Sequence, residues 1–201
     1  MDSYSKTKAT YDNIAREYSA RANERGLDTK YADLFIEKLR NRGDGILDLG
    51  CADGKYSKYF ASKGFQVTGA DFSLEMINLA RRNVPEARFL EMDMLNLNIN
   101  EKFDGIWAAA SLLHIRRNDI EKVLSSFFNL LGSGGELYIS IIEGANEILV
   151  QTSAGIRGER LFVYFSKIEI KSLLEKVGFK EIEINEKEYL GANWLHIFAR
   201  R

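Results

Sequence analysis

Short apolar runs alternate with amphipathic, helix-like stretches between residues 45 and about 142. Helical patterns near 54–63, 73–83 and 117–131 separate the runs, with Ser73 as a predicted N-cap and Gly132–Gly135 as a predicted helix end. This alternation predicts an α/β domain with a parallel sheet and helices on both faces. Five runs have the length of strands: Gly45–Leu49, Gln66–Ala70, Ala87–Met92, Gly105–Ala109 and Glu136–Ile142.

The pattern changes on both sides of this core. Helices are predicted ahead of it over Thr7–Arg21 and Tyr31–Leu39, because their apolar residues recur at helical spacing. Residues 143–160 are polar and rich in glycine, so they are expected to form a surface loop. A helix over Ser166–Val177, ended by Gly178, is expected to follow this loop.

The last two strand-like runs, Lys180–Lys187 and Asn193–Arg200, lie too close together for a crossover helix, so an antiparallel hairpin is predicted. We therefore expect one domain over residues 1–201. Its predicted parts are a helical cap (1–42), a cofactor-binding core (43–142), and a substrate-side loop, helix and hairpin (143–201).

The first predicted strand ends in an acid and two spaced glycines, Asp48-Leu-Gly50-Cys-Ala52-Asp-Gly54, and runs directly into a helical pattern. A strand, a glycine turn and a helix N-terminus together bring backbone N–H groups and a positive helix end against a ligand. This pattern predicts a nucleotide-like cofactor. A dinucleotide fingerprint would have its third glycine where Lys55 stands.

The same segment resembles the first motif of the class I S-adenosylmethionine-dependent methyltransferases, in which an acid precedes G-x-G-x-G. Ala52 stands where that family usually has its middle glycine. The resemblance implies a three-layer α/β/α fold whose seven-stranded, mostly parallel sheet ends in an antiparallel hairpin. It also implies S-adenosyl-L-methionine as cofactor, bound in the loop by Asp48, Gly50, Cys51, Ala52 and Gly54.

Two further acids follow the next two predicted strands. Asp71 can accept hydrogen bonds from both hydroxyls of a ribose, although a helix-capping acid is the alternative. Phe72 and Met76 can sandwich an adenine, although Met76 also fits an ordinary core position. By the resemblance, Asp93 accepts from the adenine amino group while the backbone N–H of Met94 meets a ring nitrogen.

Residues 103–115 resemble the family's fourth motif, in which Phe-Asp opens a strand and a Leu-His pair follows. The resemblance implies that backbone carbonyls near Ala109 receive the ammonium group of the cofactor. His114 is a candidate general base, or a structural histidine that hydrogen-bonds locally. Tyr11 and Tyr18 would cover the cofactor, or would be core residues of an amphipathic helix.

Candidate substrate residues come from the C-terminal part of the chain. Arg157, Arg160 and Tyr164 belong to a basic and aromatic segment, and Trp194 lies in the last hairpin. They would suit an anionic or aromatic substrate, or else anchor loops. His196, in the last strand among apolar neighbours, is expected to be structural.

Composition narrows the function classes. A net charge of −1 over 201 residues gives no electrostatic reason to expect nucleic acid. The single cysteine, Cys51, excludes an intrachain disulfide and is expected to pack as an apolar group rather than act as a nucleophile. No apolar run is long enough for a membrane span and the N-terminus lacks a signal core, so a cytoplasmic protein is expected. No metal-ligand spacing is visible.

The sequence therefore predicts an S-adenosylmethionine-dependent methyltransferase that acts on a small molecule by in-line displacement, as a monomer or homodimer without nucleic-acid or membrane partners. Three alternatives stay open. The chain could be a tRNA or nucleoside methyltransferase, a non-catalytic partner protein that binds S-adenosylmethionine, or an NAD-dependent oxidoreductase. The missing third glycine and the role available to Asp93 disfavour the last alternative.

Overall fold

The computed structural model describes residues 2–153 and 155–201. Nine strands follow in chain order: β1 (Gly45–Leu49), β2 (Gln66–Asp71), β3 (Arg88–Glu91), β4 (Phe103–Ala109), β5 (Leu131–Ile142), β6 (Glu147–Ser153), β7 (Ile156–Val163), β8 (Lys180–Tyr189) and β9 (Ala192–Arg200). The α-helices are α1 (Ser3–Glu24), α2 (Lys30–Leu39), α3 (Lys55–Ser62), α4 (Leu74–Asn83), α5 (Ile120–Leu130) and α6 (Lys167–Val177).

Seven strands form one sheet in the order β3-β2-β1-β4-β5-β9-β8. All neighbours are parallel except β9, which runs antiparallel to β5 and to β8. The predicted fold class is confirmed, including the terminal hairpin. The strand order reverses between β1 and β4, and open α/β sheets bind ligands at the carboxyl edge beside such a reversal.

Local capping positions two helices, with the predicted N-cap Ser73 and the predicted helix end Gly178 both in place. Ser73 accepts a hydrogen bond from the backbone N–H of Met76 and thereby starts α4 at the end of β2. Ser166 does the same for α6, which ends at Gly178 in the left-handed region, at φ +115°. These caps satisfy N–H and carbonyl groups that a helix end otherwise leaves without partners.

The glycine run after α5 does not cap that helix, contrary to the prediction. Helix α5 ends at Leu130, the next residue is already extended, and β5 begins at Leu131. The run instead forms an irregularity in β5, since Phe103 pairs with Leu131 but Gly105 pairs with Glu136. A Cβ on Gly135 would lie 3.1 Å from the backbone oxygens of Asp104 and Gly132, so a side chain there would push the neighbouring backbone by a few tenths of an ångström.

The loop predicted over residues 143–160 is also corrected, because most of it forms the two-stranded hairpin β6–β7. The sequence does not show which apolar residues of this hairpin are buried. Ile148 and Leu149 are exposed, whereas Leu161 and Val163 are buried. The hairpin packs on α1, where Thr7 Oγ1 accepts from the N–H of Leu161 at 2.9 Å. Contacts with a distant helix therefore decide the structure of this segment.

Two apolar layers flank the sheet. On one face, α5 and α6 cover a cluster that includes Phe127, Ile139 and Leu174. On the other face, α2 and α3 contribute Phe35 and Phe60 to an aromatic cluster around Trp107, Tyr138 and Phe198. Across residues 2–153 and 155–201, no helix combines the length and apolar character needed to cross a membrane.

Candidate cofactor and acceptor site

The loop after β1 turns sharply at the carboxyl edge of the sheet. Gly50, Ala52 and Gly54 all have left-handed backbone angles, with φ of +73°, +48° and +84°. A Cβ on Gly50 would lie 2.4 Å from the Cβ of Ser111, so glycine is required there both for conformation and for space. Ala52 adopts the left-handed conformation despite its methyl group, so the loop keeps its shape without the family's usual middle glycine.

Asp71 holds this loop against the end of β2. Its Oδ2 accepts from the backbone N–H of Ala52 at 3.0 Å, and its Oδ1 accepts from the N–H of Ser73 at 2.9 Å. Because the carboxyl group is buried, its pKa is raised to about 6, although these two N–H groups oppose the rise. Each carboxylate oxygen keeps a further lone pair, as binding both hydroxyls of a ribose would require.

A narrow cavity of about 60 Å³ opens beside Asp71 and brings most predicted cofactor residues together. Helix α1 covers one side with three tyrosines, and the strand ends and loops supply the rest. The lining residues are Tyr4, Tyr11, Tyr18, Gly50, Ala52, Asp71, Phe72, Met76, Met92, Met94, Ala109, Ala110, Ser111, His114 and Ile115. We call this space the first cavity.

Asp93 lies at its predicted strand end and already has two donors. Its Oδ1 accepts from the backbone N–H of Leu95 at 2.8 Å and from the hydroxyl of Tyr4 at 2.6 Å. Burial and this hydrogen bond raise the pKa of Tyr4 well above its usual value. Sequence reasoning missed Tyr4, because it began the helix at Thr7 whereas α1 begins at Ser3.

Asp48 and Cys51 lie below the loop. Asp48 is only 2% exposed and accepts from the hydroxyl of Ser57 at 2.7 Å. Burial raises the pKa of its carboxyl group to about 7. Cys51 packs in an apolar cluster with Ile77 and Phe89, and burial raises its thiol pKa well above the usual value, which supports a packing role.

Asp53 is a third buried acid of the loop, which sequence reasoning did not select. It is 3% exposed and accepts from the hydroxyl of Ser19 of α1 at 2.6 Å. Its position inside the G-x-A-x-G motif was visible in the sequence. Its burial was not, because Ser19 reaches it from a helix that lies 34 residues earlier in the chain.

His114 is buried, and both of its ring nitrogens are engaged. Nδ1 lies 2.6 Å from the carbonyl oxygen of Leu161, and Nε2 lies 2.9 Å from the hydroxyl of Tyr11. Since a carbonyl can only accept, we place the proton on Nδ1, and Nε2 then accepts from Tyr11. Burial lowers the pKa of His114 to about 4, so the ring is neutral at neutral pH. His114 thus connects α1 to β7.

The four predicted substrate residues lie in different parts of the structure. Arg160 is buried, with its guanidinium carbon 5.8 Å from the ring centre of Tyr11, and so lies near the first cavity. Trp194 lines a second, larger space described below. Arg157 is exposed on β7, and Tyr164 offers its backbone carbonyl to Arg117. Neither Arg157 nor Tyr164 is among the described residues that line the two cavities.

A second cavity, of about 360 Å³, adjoins the first and shares with it Tyr18, Gly50, Ala52, Ala109 and Ala110. Its floor is the glycine loop, including Asp48 and Asp53, and its far wall comes from α2, β5 and β9. That wall holds Tyr31, Tyr138, Ser140, Trp194 and His196, of which only Trp194 was predicted. Within the described chain, no three His, Cys, Asp or Glu residues form a group that could hold a metal.

Comparison with known proteins agrees with this geometry. A methyltransferase domain family matches residues 46–135, the segment that contains the glycine loop, Asp71 and Asp93. Residues 46–135 therefore carry a methyltransferase domain, and the match supports the class I S-adenosylmethionine-dependent methyltransferases as the family. The predicted family is confirmed, and S-adenosylmethionine is the cofactor that defines it.

The relatives differ in what they modify. Demethylmenaquinone methyltransferase of Thermus thermophilus is 33% identical over 68% of this chain and 62% of its own length. tRNA U34 carboxymethyltransferase of Vibrio campbellii is 31% identical over 74% of this chain and 48% of its own length. Across the relatives compared, the chain spans between 40% and 64% of their length.

A solved structure shows the shared fold. Magnesium protoporphyrin IX methyltransferase from Synechocystis, with bound S-adenosylmethionine, superposes with a TM-score of 0.77 over 100% of this chain and 98% of that chain. Because the sequence identity is only 16%, the superposition shows a shared fold and nothing about the substrate.

Proposed function

We propose that this chain transfers a methyl group from S-adenosylmethionine to a small-molecule acceptor by in-line displacement. The arrangement at Asp71 carries the proposal. Its buried carboxylate spans the N–H groups of Ala52 and Ser73 and faces a cavity walled by Phe72 and Met76. This geometry fits a ribose beneath an adenine.

The charges of the site also fit this cofactor, which carries a sulfonium and an ammonium group. Three buried carboxyl groups, those of Asp48, Asp53 and Asp71, lie at the loop between the two cavities. Burial raises the pKa values of Asp48 and Asp71 and so opposes their negative charges. A bound cation favours the ionised forms, so the site is electrostatically complementary to a sulfonium cofactor.

The cofactor supplies an electrophilic methyl group, and the protein has to align the acceptor and exclude water. In this chain, α1 performs the covering role with Tyr4, Tyr11 and Tyr18. His114 holds Tyr11 in place through its Nε2 and anchors itself on Leu161 through its Nδ1. We assign His114 as a positioning residue, because its one free lone pair already accepts from Tyr11.

A small-molecule acceptor is favoured over tRNA, although one relative is named for a tRNA substrate. A polynucleotide is bound largely through its phosphates, which requires a basic face and gives a steep salt dependence. This chain has a net charge of −1, and the space beside the cofactor loop has a volume of about 360 Å³. Both features suit a compact acceptor.

Isothermal titration calorimetry with S-adenosylmethionine, S-adenosylhomocysteine and NAD tests the proposal. We expect both adenosyl ligands to bind and NAD not to bind. Asp71→Ala should weaken the binding of S-adenosylhomocysteine by roughly 100-fold, because the hydrogen bonds from two ribose hydroxyls to the carboxylate are lost. Asp44→Asn is the matched control, since Asp44 is an exposed acid at the opposite end of β1. Unchanged affinity in Asp71→Ala would contradict the ribose assignment, and binding of NAD alone would contradict the function.

A further inference from the structure

The second cavity extends well beyond the glycine loop. Gly50 and Ala52 line its near side, whereas its far wall comes from α2, β5 and β9. Its volume of about 360 Å³ lies at the lower end of the ~300–1,000 Å³ typical of small-molecule sites. Because it shares Ala109 and Ala110 with the first cavity, a ligand held against the far wall lies next to the cofactor position.

Flat aromatic surfaces dominate the far wall. Tyr31 stacks on the ring of His196 with centroids 3.7 Å apart and planes 9° apart. Tyr138 stacks on Trp107 at 3.8 Å and 11°, so each of the two tyrosine rings is fixed by a stacked neighbour. The lining also includes the aromatic side chains of Tyr18, Tyr56, Tyr189 and Trp194. Rigid, flat walls of this kind accept a planar ring better than a bulky aliphatic group.

His196 presents a polar group from this wall. Its Nδ1 lies 2.7 Å from the hydroxyl of Tyr138. A phenol is the better donor and an imidazole nitrogen the better acceptor, so we place the Tyr138 proton toward Nδ1 and the imidazole proton on Nε2. Burial lowers the pKa of His196 to about 4 and raises that of Tyr138 well above its usual value, so both groups are neutral at neutral pH. Within residues 2–153 and 155–201, Nε2 has no hydrogen-bond partner.

The charge beside His196 favours an anion. Among the lining residues, Asp28 is paired with Lys187, and Arg21 is paired with Glu17. At the ring of His196, the ammonium groups of Lys187 and Lys30 act against the single carboxylate of Asp28. The positive groups outnumber the negative one there, so an anion is favoured beside this ring. The charged lining residues are Arg21, Arg25, Lys55 and Lys187 on one side and Asp28, Asp48 and Asp53 on the other.

The groups at the site also limit the nucleophile. The free lone pair of His114 accepts from Tyr11, and His196 offers an N–H rather than a lone pair. Since neither histidine offers a free lone pair to remove a proton, the site suits an acceptor that arrives already unprotonated, as a carboxylate does at neutral pH.

We infer that the second cavity binds a planar aromatic carboxylate and that the Nε2–H of His196 donates to one of its oxygens. This inference rests on the proposed function. The other carboxylate oxygen attacks the methyl carbon, the carbon–sulfur bond breaks, and its electron pair stays on sulfur. An anion and a sulfonium thus give a neutral methyl ester and a neutral thioether, with no proton transferred.

Fluorescence of the protein saturated with S-adenosylhomocysteine tests this inference. The chain has two tryptophans, of which Trp107 is 1% exposed in the core and Trp194 lines the cavity. The probes are 2-naphthoate, the neutral isostere 2-naphthamide, and the non-planar decahydro-2-naphthoate. We expect saturable quenching by 2-naphthoate, with at least about tenfold weaker binding of the other two. Trp194→Phe should remove the quenching while calorimetry still records binding.

His196→Phe should weaken the binding of 2-naphthoate roughly tenfold, because the imidazole N–H is lost. The new phenyl ring can still stack on Tyr31. His196→Gln should restore much of the affinity through its amide N–H. Binding of S-adenosylhomocysteine should be unchanged in both variants. If wild type binds S-adenosylhomocysteine but not 2-naphthoate, or if 2-naphthamide or His196→Phe binds as well as the reference, the inference is wrong. If S-adenosylhomocysteine itself does not bind, the proposed function fails instead.

Discussion

The two cavities that meet at Ala109 and Ala110 are built in different ways. The first takes its cofactor residues mainly from positions that follow β1, β2 and β3, where each strand end is marked in the sequence by an acid or a glycine. The second joins Tyr31 of α2, Tyr138 of β5 and His196 of β9, which are far apart in the chain. A local motif therefore indicates the cofactor side, whereas the acceptor side exists only after folding.

The difference extends to the chemistry of the two walls. On the proposed cofactor side, the carboxylate of Asp71 is held by the N–H groups of Ala52 and Ser73, so binding should depend on loop geometry and buried charge. On the proposed acceptor side, stacked rings and a single imidazole N–H line the cavity. Changes on the cofactor side should therefore alter both folding and cofactor affinity, while changes on the acceptor side should alter specificity.

Gly50→Ala should have the largest effect, because it damages the cofactor side through backbone strain and a steric clash. The new Cβ would lie 2.4 Å from Ser111 Cβ at a φ of +73°. We expect a loss of roughly 2–4 kcal/mol in unfolding free energy and loss of detectable S-adenosylhomocysteine binding. Urea unfolding and calorimetry measure the two quantities.

Gly64→Ala is the matched control for strain alone. Gly64 also has a positive φ, of +92°, but nothing lies within 4 Å of the position of its Cβ. Gly64→Ala should lower the unfolding free energy by only about 1–2 kcal/mol and leave the binding of S-adenosylhomocysteine unchanged. Equal effects of the two substitutions would show that the contact with Ser111 does not matter.

Asp48→Asn should show how much the buried charge of Asp48 alone affects stability, because asparagine has nearly the same shape as aspartate. The folded-state pKa of Asp48, about 7, exceeds the ordinary value of 3.8, so the folded protein holds a proton that the unfolded chain releases. Wild type should therefore lose stability relative to Asp48→Asn as the pH rises from 5 to 8, by about 2–3 kcal/mol. Urea unfolding of both proteins at the two pH values measures this difference.

Asp44→Asn, at the exposed end of the same strand, is the control for replacing an aspartate by asparagine away from the buried site. The comparison between variants also removes the opposing contributions of His114 and His196, whose lowered pKa values are the same in each protein. If Asp48→Asn and wild type have the same pH dependence of unfolding free energy, burial does not raise the pKa of Asp48.

Tyr11→Phe should have the smallest of these effects, at the contact that joins α1 to the sheet. Removal of the hydroxyl leaves the buried Nε2 of His114 without its donor, which should cost about 1–2 kcal/mol of unfolding free energy. Tyr18→Phe, on the same helix, should change stability by less than about 0.5 kcal/mol, because no described residue hydrogen-bonds to that hydroxyl. Thermal or urea unfolding distinguishes the two, and equal costs would contradict the role assigned to His114.

Much of the fold could be predicted from local patterns. Periodicity and capping chemistry, which act over a few residues, predicted the strands of the sheet, the N-cap Ser73, the helix end Gly178 and the terminal hairpin. The predictions that were wrong depend on distant contacts. Leu161 donates to Thr7 of α1 and so stabilises the β6–β7 hairpin, and the glycines after α5 form a bulge against β4 rather than a cap.

The sequence by itself determined the cofactor side, because Asp48, Gly50, Asp71 and Asp93 lie at strand ends whose order along the chain places them on one edge of the sheet. Only the tertiary structure decided the acceptor side and the tautomers of the two histidines. His114 accepts from Tyr11, 103 residues earlier, and His196 pairs with Tyr138, 58 residues earlier. Hydrogen-bond partners so far apart leave no local pattern, because burial and proton placement arise only when the elements pack.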